Sequence, residues 1–190
     1  MAFLTAAGAA DQARAAARIS EIRTDTRNLV VMENEFVRMT VDLRRGARVT
    51  EFLYKPLNRQ WVGVGQGMFA DHITQQSWPG ELYDATYEHE ITARGPDRVA
   101  VKVWRNLEAK ENVNLSGLKV ERTMILTDGS PVVEAEIAVI NPTAAVKTMS
   151  YWSQSLFRLG DKFFQNGFFT GSWGFDVIIR ERVSGAVEHP

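Results

Sequence analysis

Residues 117–140 read GLKVERTMILTDGSPVVEAEIAVI, and apolar and polar side chains alternate along both ends of this stretch. Alternation with a period of two is typical of a β-strand that buries one face. The two segments, 117–127 and 131–140, flank Asp128-Gly129-Ser130, which is a strong hairpin signal. In the second segment the alternation predicts an apolar face toward the core, formed by Val133, Ala135, Ile137 and Val139. This stretch predicts an antiparallel hairpin that Asn141-Pro142 ends.

The same period extends outward along the chain. Further candidate strands are residues 35–42, 47–54, 82–93, 97–105, 146–158 and 173–181. On two of them the predicted core faces are Val37, Met39 and Val41, and Val99, Val101 and Val103. The resulting set of short strands and turns predicts two antiparallel sheets packed face to face, which is a β-sandwich.

The N-terminus has a different composition. Residues 4–18 contain eight alanines, which favours a helix. We therefore expect residues 1–27 to form a helical extension and residues 28–190 to form one β-sandwich domain, because no linker or repeat divides the rest of the chain.

Composition excludes several classes of function. The net charge of −1 argues against a general attraction to nucleic acid, and no apolar run is long enough to cross a bilayer. The absence of cysteine excludes disulfides and thiolate chemistry. No spacing of ligands indicates a metal, and no motif indicates a cofactor. The sequence does not fix the compartment: the protein could be cytoplasmic, or secreted without disulfides.

Residues 63–81 are predicted to form a long, glycine-punctuated connection. Six side chains suited to sugar chemistry lie close together there, namely Asp71, His72, Gln75, Gln76, Trp78 and Glu81. Aromatic rings stack on the C–H faces of sugars, while carboxylates and amides bind hydroxyl groups. Long irregular connections are often functional, so this segment predicts a saccharide site.

Several short motifs occur in a recognisable order: NEFVRMTV at 34–41, GARV at 46–49, WPGEL at 78–82, GPDRV at 95–99, GLKVER at 117–122 and SPVVE at 130–134. In texture and order they resemble galactose-mutarotase-like domains over roughly residues 30–160. The resemblance implies a twisted supersandwich, shortened relative to aldose epimerases, and a protein that handles carbohydrates. Epimerase activity is not carried over, because residues 150–157 lack the histidine of the corresponding epimerase segment.

The leading hypothesis is an enzyme that cleaves glycosidic bonds. Its candidate catalytic residues are Asp71, His72 and Glu81, which could supply a base and two carboxyl groups. The candidate saccharide-binding residues are Gln75, Trp78, Tyr87, His89, Tyr151, Trp152, Gln154 and Arg158. In a lyase alternative, Arg158 would neutralise a uronate while Tyr87, Tyr151 or His72 removes a proton.

Each candidate also has a structural explanation. His72 and Asp71 could be a loop-packing pair, His89 a hydrogen-bonded interior residue, and Glu81 a solvated charge. Two further alternatives are a non-catalytic carbohydrate-binding module and an interaction domain of a larger carbohydrate-active enzyme. Their distinguishing features would be an aromatic platform in the first case, and in the second a homo-oligomer interface in the phenylalanine-rich segment 160–176.

Arg122 is an exception to the alternation within residues 117–140. It falls on the otherwise apolar face that contains Val120 and Met124. Since a buried arginine requires a carboxylate partner, the sequence predicts a structural ion pair there.

Overall fold

The structure, a computed structural model, describes residues 16–62, 67–73, 75–109 and 112–157. Five strands form the first sheet in sequence order: β1 (Arg18–Arg23), β2 (Asn28–Glu33), β3 (Val37–Asp42), β4 (Arg48–Tyr54) and β5 (Arg59–Gln60). All neighbours pair antiparallel, and a 3₁₀ turn at Lys55–Leu57 joins the last two strands.

A short strand and a short helix follow, β6 (Ala70–Ile73) and α1 (Gly80–Tyr83). Four strands then form the second sheet: β7 (Glu88–Arg94), β8 (Arg98–Asn106), β9 (Lys119–Thr127) and β10 (Val133–Ile140). Their order in the sheet is β10-β9-β8-β7, again antiparallel throughout. A 3₁₀ turn at Val113–Leu115 interrupts the connection from β8 to β9.

The last described strand, β11 (Tyr151–Gln154), pairs with β6 in a two-stranded ribbon. Trp152 lies opposite His72 and Ser153 lies opposite Asp71. The ribbon brings the segment after β10 back against the connection between the two larger sheets.

One hydrophobic core joins these parts. It takes Val30 and Met32 from β2, the predicted faces of β3 and β8, and Val120, Met124 and Leu126 from β9. The side chains of Val37, Met39, Val41, Val99, Val101 and Val103 are all essentially inaccessible to solvent. The prediction of a mainly β protein built from antiparallel sheets is therefore confirmed, as are these two buried faces. The hairpin turn predicted at residues 128–130 is also confirmed, because it lies between β9 and β10.

Several predictions of elements were wrong. Asp71 and His72 lie in β6 rather than in an irregular connection, because backbone pairing with β11 extends this part of residues 63–81. The candidate strand at 82–93 begins instead with the end of α1. Of the candidate strand at 146–158, the structure describes residues up to 157, and among these only Tyr151–Gln154 form a named strand.

The N-terminal boundary also differs from the prediction. β1 lies within the predicted helical extension 1–27, yet it pairs with β2 and Ile19 packs against the core. These hydrogen bonds and this contact place Arg18–Arg23 in the sheet, so the part of the predicted helical extension that they cover is a strand. The predicted helix over residues 1–15 and the strand at 173–181 lie outside the described residues.

The predicted inward face of β10 is a further correction. Ala135, Ile137 and Val139 are exposed rather than buried. β10 is the last strand of its sheet, so these side chains project beyond the part of the core that β2 and β3 cover.

Candidate functional site

The β6–β11 ribbon sorts the candidate residues onto two faces. Side chains that lie opposite each other in an antiparallel pair point to the same side, and successive residues alternate. Asp71 and Ser153 therefore share the inner face, while His72 and Trp152 share the outer one. Asp71 and His72, adjacent in sequence, consequently do not form an acid–base pair.

The inner face contains a buried ion pair. Arg122 Nη1 donates to Asp71 Oδ2 at 2.5 Å, and each of the two side chains is only 1% exposed. Ser153 Oγ donates to Asp71 Oδ1 at 2.7 Å, and Arg122 Nη2 donates to the carbonyl of Ala47. The guanidinium also lies over the ring of Phe69, 4.6 Å from its centroid. The predicted carboxylate partner of Arg122 is confirmed, and it is Asp71.

Two tyrosines lie beside this ion pair. The hydroxyl oxygens of both tyrosines are buried; that of Tyr87 has no hydrogen-bond partner among the described residues, whereas that of Tyr151 interacts with the Asp71 carboxylate. Burial and, secondarily, the negative charge of Asp71 raise the pKa of both phenols well above the usual range. Both therefore remain protonated at neutral pH, which disfavours the lyase alternative in which one of them acts as the base.

The outer face carries an aromatic patch, which we define as His72, Trp78, Tyr83 and Trp152. The ring centroids of Trp78 and Trp152 are 5.8 Å apart, and the His72 ring lies 5.3 Å from Trp78 and 6.0 Å from Trp152. The Tyr83 ring lies 4.8 Å from Trp78. Trp78 and Trp152 are 52% and 41% exposed, so the patch combines mutual packing with accessible ring surface.

The turn that carries Trp78 depends on a glycine. Gly80 has φ +67°, and a Cβ there would lie 3.0 Å from both His72 Nδ1 and Gln76 Oε1. The absence of a side chain lets the turn close over His72, whose Nδ1 lies 3.3 Å from the carbonyl oxygen of Pro79. A carbonyl can only accept, so this contact favours the tautomer with its proton on Nδ1 and leaves Nε2 as the acceptor nitrogen.

An open cleft adjoins the aromatic patch. Its volume is about 280 Å³, and it is lined by Gln76, Ser77, Trp78, Pro79, Gly80, Glu81, Arg105 and Glu108. Arg105 Nη2 lies 3.2 Å from Glu108 Oε1, and both side chains are partly accessible. Trp78 belongs to both the cleft and the patch, so a ligand in the cleft can contact apolar ring surface and charged groups together.

Glu81 stabilises one wall of the cleft. Gln76 Nε2 donates to its Oε1 at 2.6 Å, the amide of Ala109 donates to the same oxygen at 2.8 Å, and the amide of Glu108 donates to Oε2 at 2.9 Å. Both carboxylate oxygens thus accept hydrogen bonds from the connection after β8. This is the role of a structural anchor.

The remaining predicted residues are dispersed. Gln75 Oε1 accepts from the amide of Ser150 at 3.0 Å and so holds the chain just before β11. Gln154 lies on the outer face with Trp152. His89 Nε2 is 2.8 Å from Glu21 Oε1, so it bridges β7 to β1 and does not join the aromatic patch. Arg158 lies outside the described residues.

Sequence reasoning missed four residues at this site. Tyr83, Arg105 and Glu108 lie at the patch or the cleft, and Ser153 binds Asp71. Ser153 could have been predicted, because residues two apart in a strand point to the same face and Ser153 follows the candidate Tyr151 by two. Nothing local distinguishes Arg105 and Glu108, because only the fold places them near α1.

Two absences hold for the described residues 16–62, 67–73, 75–109 and 112–157. No group of three histidine, aspartate or glutamate side chains there is arranged to hold a metal ion. No helix among those residues is both long and apolar enough to cross a membrane.

Comparison of the sequence with models of protein families gave no match, and comparison with curated proteins gave none either.

Proposed function

We propose that this protein binds a saccharide through the exposed rings of Trp78 and Trp152 and the adjoining cleft. The observation that carries the proposal is the contact between these two tryptophans. They come from distant parts of the sequence, and each leaves much of its ring accessible to solvent. Exposed aromatic surface of this kind is costly in water and typical of a binding site.

The chemistry around the rings suits a sugar. A pyranose presents C–H groups on its faces and hydroxyl groups on its edges, so it combines an apolar contact with several hydrogen bonds. The rings supply the first, while Arg105, Glu108 and Ser77 in the cleft are donors and acceptors for the second. The resemblance to galactose-mutarotase-like domains independently supports a carbohydrate as the ligand.

Binding without cleavage is favoured over glycoside hydrolysis. Hydrolysis requires two carboxyl groups that flank the glycosidic bond, about 5–9.5 Å apart, with access to substrate. Asp71 is buried in its ion pair with Arg122, and both oxygens of Glu81 accept hydrogen bonds from the protein. The candidate acids are therefore occupied by structural roles, which supports the binding-module alternative.

The test is binding to a panel of soluble polysaccharides and oligosaccharides, followed by titration calorimetry with the best ligand. We expect Trp78→Ala and Trp152→Ala each to weaken binding at least tenfold, because each removes a stacking surface worth about 1.4 kcal/mol or more. Trp104→Ala is the matched control. Trp104 lies on the outward face of β8 under Lys119 and should leave affinity unchanged.

Other outcomes would contradict the proposal. Equal loss of affinity in Trp104→Ala would show a general effect on folding, and binding that survives both patch variants would place the site elsewhere. Release of new reducing ends that is abolished in Glu81→Gln or Asp71→Asn would instead support the glycosidase hypothesis. Far-ultraviolet circular dichroism of every variant separates loss of fold from loss of the site.

A further inference from the structure

The rings of Trp78 and Trp152 are not coplanar. Their planes meet at 67°, and their centroids are 5.8 Å apart. A flat surface that stacks on one of these rings therefore meets the other at a steep angle and cannot stack on both. This angle restricts the shape of any ligand that uses both tryptophans, whichever sugar the ligand contains.

Contacts with neighbouring rings fix the angle between the two tryptophans. The His72 ring packs at 62° against Trp78 and at 86° against Trp152, and the Tyr83 ring packs at 57° against Trp78. Steeply inclined, edge-to-face contacts are a preferred arrangement of aromatic rings. Rotating either tryptophan into the plane of the other would break several of these contacts together.

The backbone that carries each tryptophan is held as well. Trp152 lies in β11, directly opposite His72 of β6. Trp78 lies in the segment between β6 and α1, which the buried side chain of Gln76 closes. Gln76 Nε2 donates to Glu81 Oε1 at 2.6 Å, and Gln76 Oε1 accepts from the amide of Glu81 at 3.3 Å. The folded chain therefore sets the angle between the rings before a ligand binds, which reduces the cost of binding.

The cleft beside Trp78 restricts the ligand further. It is concave, its volume is about 280 Å³, and Trp78 forms part of its lining. Pockets that enclose small ligands begin at about 300 Å³. A cleft of this size admits a short stretch of one saccharide chain. The face of a crystalline polysaccharide cannot enter it, because neighbouring chains lie side by side there.

We infer, on the basis of the proposed saccharide binding, that the ligand is a single soluble chain that bends or twists between successive sugars. Successive sugar rings of such a chain are inclined to each other, so one can stack on Trp78 and the next on Trp152. The 5.8 Å between the ring centroids is comparable with the length of one sugar unit. Straight, ribbon-like chains and crystalline polysaccharides present flat faces, so they reach only one of the two tryptophans.

The test sorts polysaccharides by the shape of their chains. Amylose, laminarin, xylan and galactan are the curved or twisted soluble probes, and affinity electrophoresis measures their binding. Microcrystalline cellulose, crystalline chitin and crystalline mannan are the flat probes, and co-sedimentation measures theirs. We expect the protein to bind at least one probe of the first group and none of the second.

A matched pair of oligosaccharides isolates chain shape from sugar identity. Maltohexaose and cellohexaose contain the same sugar and the same number of units, but the α-linkages of maltohexaose curve the chain and the β-linkages of cellohexaose straighten it. If a glucan binds, maltohexaose should bind at least tenfold more tightly than cellohexaose. Trp152→Ala should abolish this preference, because a straight chain stacks on Trp78 alone as well as a curved one does. Trp104→Ala is the control and should preserve the preference.

The outcomes separate this inference from the proposed function. Binding to any crystalline probe that Trp78→Ala weakens would overturn the inference and leave saccharide binding intact. Measurable and equal affinities for maltohexaose and cellohexaose would do the same. Absence of binding to every carbohydrate probe would overturn the proposed function, and the inference with it.

Discussion

Arg122 on β9 and Asp71 on β6 form an ion pair from which solvent is almost completely excluded. The pair connects the four-stranded sheet to the β6–β11 ribbon, and through the carbonyl of Ala47 it reaches the segment just before β4. Asp71 therefore contributes to positioning the ribbon that carries His72 and Trp152, without itself reaching the surface that they form.

Breaking this ion pair should strongly destabilise the fold. We expect Arg122→Met to lower the free energy of unfolding by about 3–5 kcal/mol, because Asp71 would remain buried without its cation. Urea denaturation followed by circular dichroism measures the change. Arg98→Met, at an exposed arginine on β8, is the control and should change stability by less than about 0.5 kcal/mol.

The double variant tests the physical explanation. Removing both charges in Asp71→Leu/Arg122→Met should cost less than the sum of the two single losses, because no uncompensated buried charge remains. Strict additivity of the single and double variants would contradict an energetic coupling between the two side chains.

Glu81 should hold the connection after β8 in place. In Glu81→Ala the amides of Glu108 and Ala109 lose their acceptors. We expect those two amides to exchange with deuterium at least tenfold faster, and stability to fall by about 1–3 kcal/mol. Glu90→Ala, at an exposed position on β7, is the control. Unchanged exchange at both amides would show that the carboxylate does not anchor this segment.

Sequence reasoning reached the fold through periodicity. The buried faces of β3 and β8 follow from strict alternation, and the turn between β9 and β10 follows from Asp128-Gly129-Ser130. The faces of β10 alternate equally well, yet Ile137 is exposed. Alternation identifies two faces of a strand but not whether a neighbouring layer covers either of them.

The residues of the candidate site were predicted one by one, but their arrangement was not. Trp78 and Trp152 each stood out by residue type, whereas their contact depends on the pairing of β6 with β11, two strands far apart in sequence. The same pairing places Asp71 and His72 on opposite faces. The sequence predicts an acid–base pair because Asp71 and His72 are adjacent. Residues 70–73 show no alternation of apolar and polar side chains, so nothing in the sequence indicates a strand with these two residues on opposite faces.

Glu33 should make folding sensitive to acid. Burial raises its pKa, but Lys55 Nζ at 2.8 Å and Arg18 Nε at 2.9 Å outweigh that effect, so the pKa is lowered overall. A carboxyl with a lowered folded pKa stabilises the protein above its unfolded pKa of about 4.3, and this stabilisation is lost as the pH falls through the folded pKa.

The Glu33→Gln variant makes this contribution measurable. The difference in unfolding free energy between wild type and variant should be greatest near pH 7 and should shrink steadily as the pH falls below about 4.3. Urea denaturation at a series of pH values gives the difference directly. Glu90→Gln, at an exposed position on β7, is the control for the general effect of charge. A difference that is constant with pH would contradict a lowered pKa at Glu33.

The hydroxyl group of Tyr87 should lower the stability of the folded protein. That hydroxyl is buried without a hydrogen-bond partner in the described part of the chain, so its removal eliminates a desolvation cost. We expect Tyr87→Phe to raise the free energy of unfolding at pH 7 by about 1 kcal/mol. Tyr54→Phe, at the partly exposed end of β4, should have little effect.

Tyr87→Phe should also change how the free energy of unfolding depends on pH in alkaline solution. Burial and the Asp71 charge raise the folded pKa of Tyr87 above the unfolded value of about 10. The folded state then holds its phenolic proton more tightly, so wild-type stability falls as the pH rises above about 10. Tyr87→Phe removes that proton and should flatten this loss. Denaturation at pH 7 and at pH values above 10 tests both effects, and a Tyr87→Phe protein less stable than wild type at pH 7 would show that the hydroxyl has a stabilising partner.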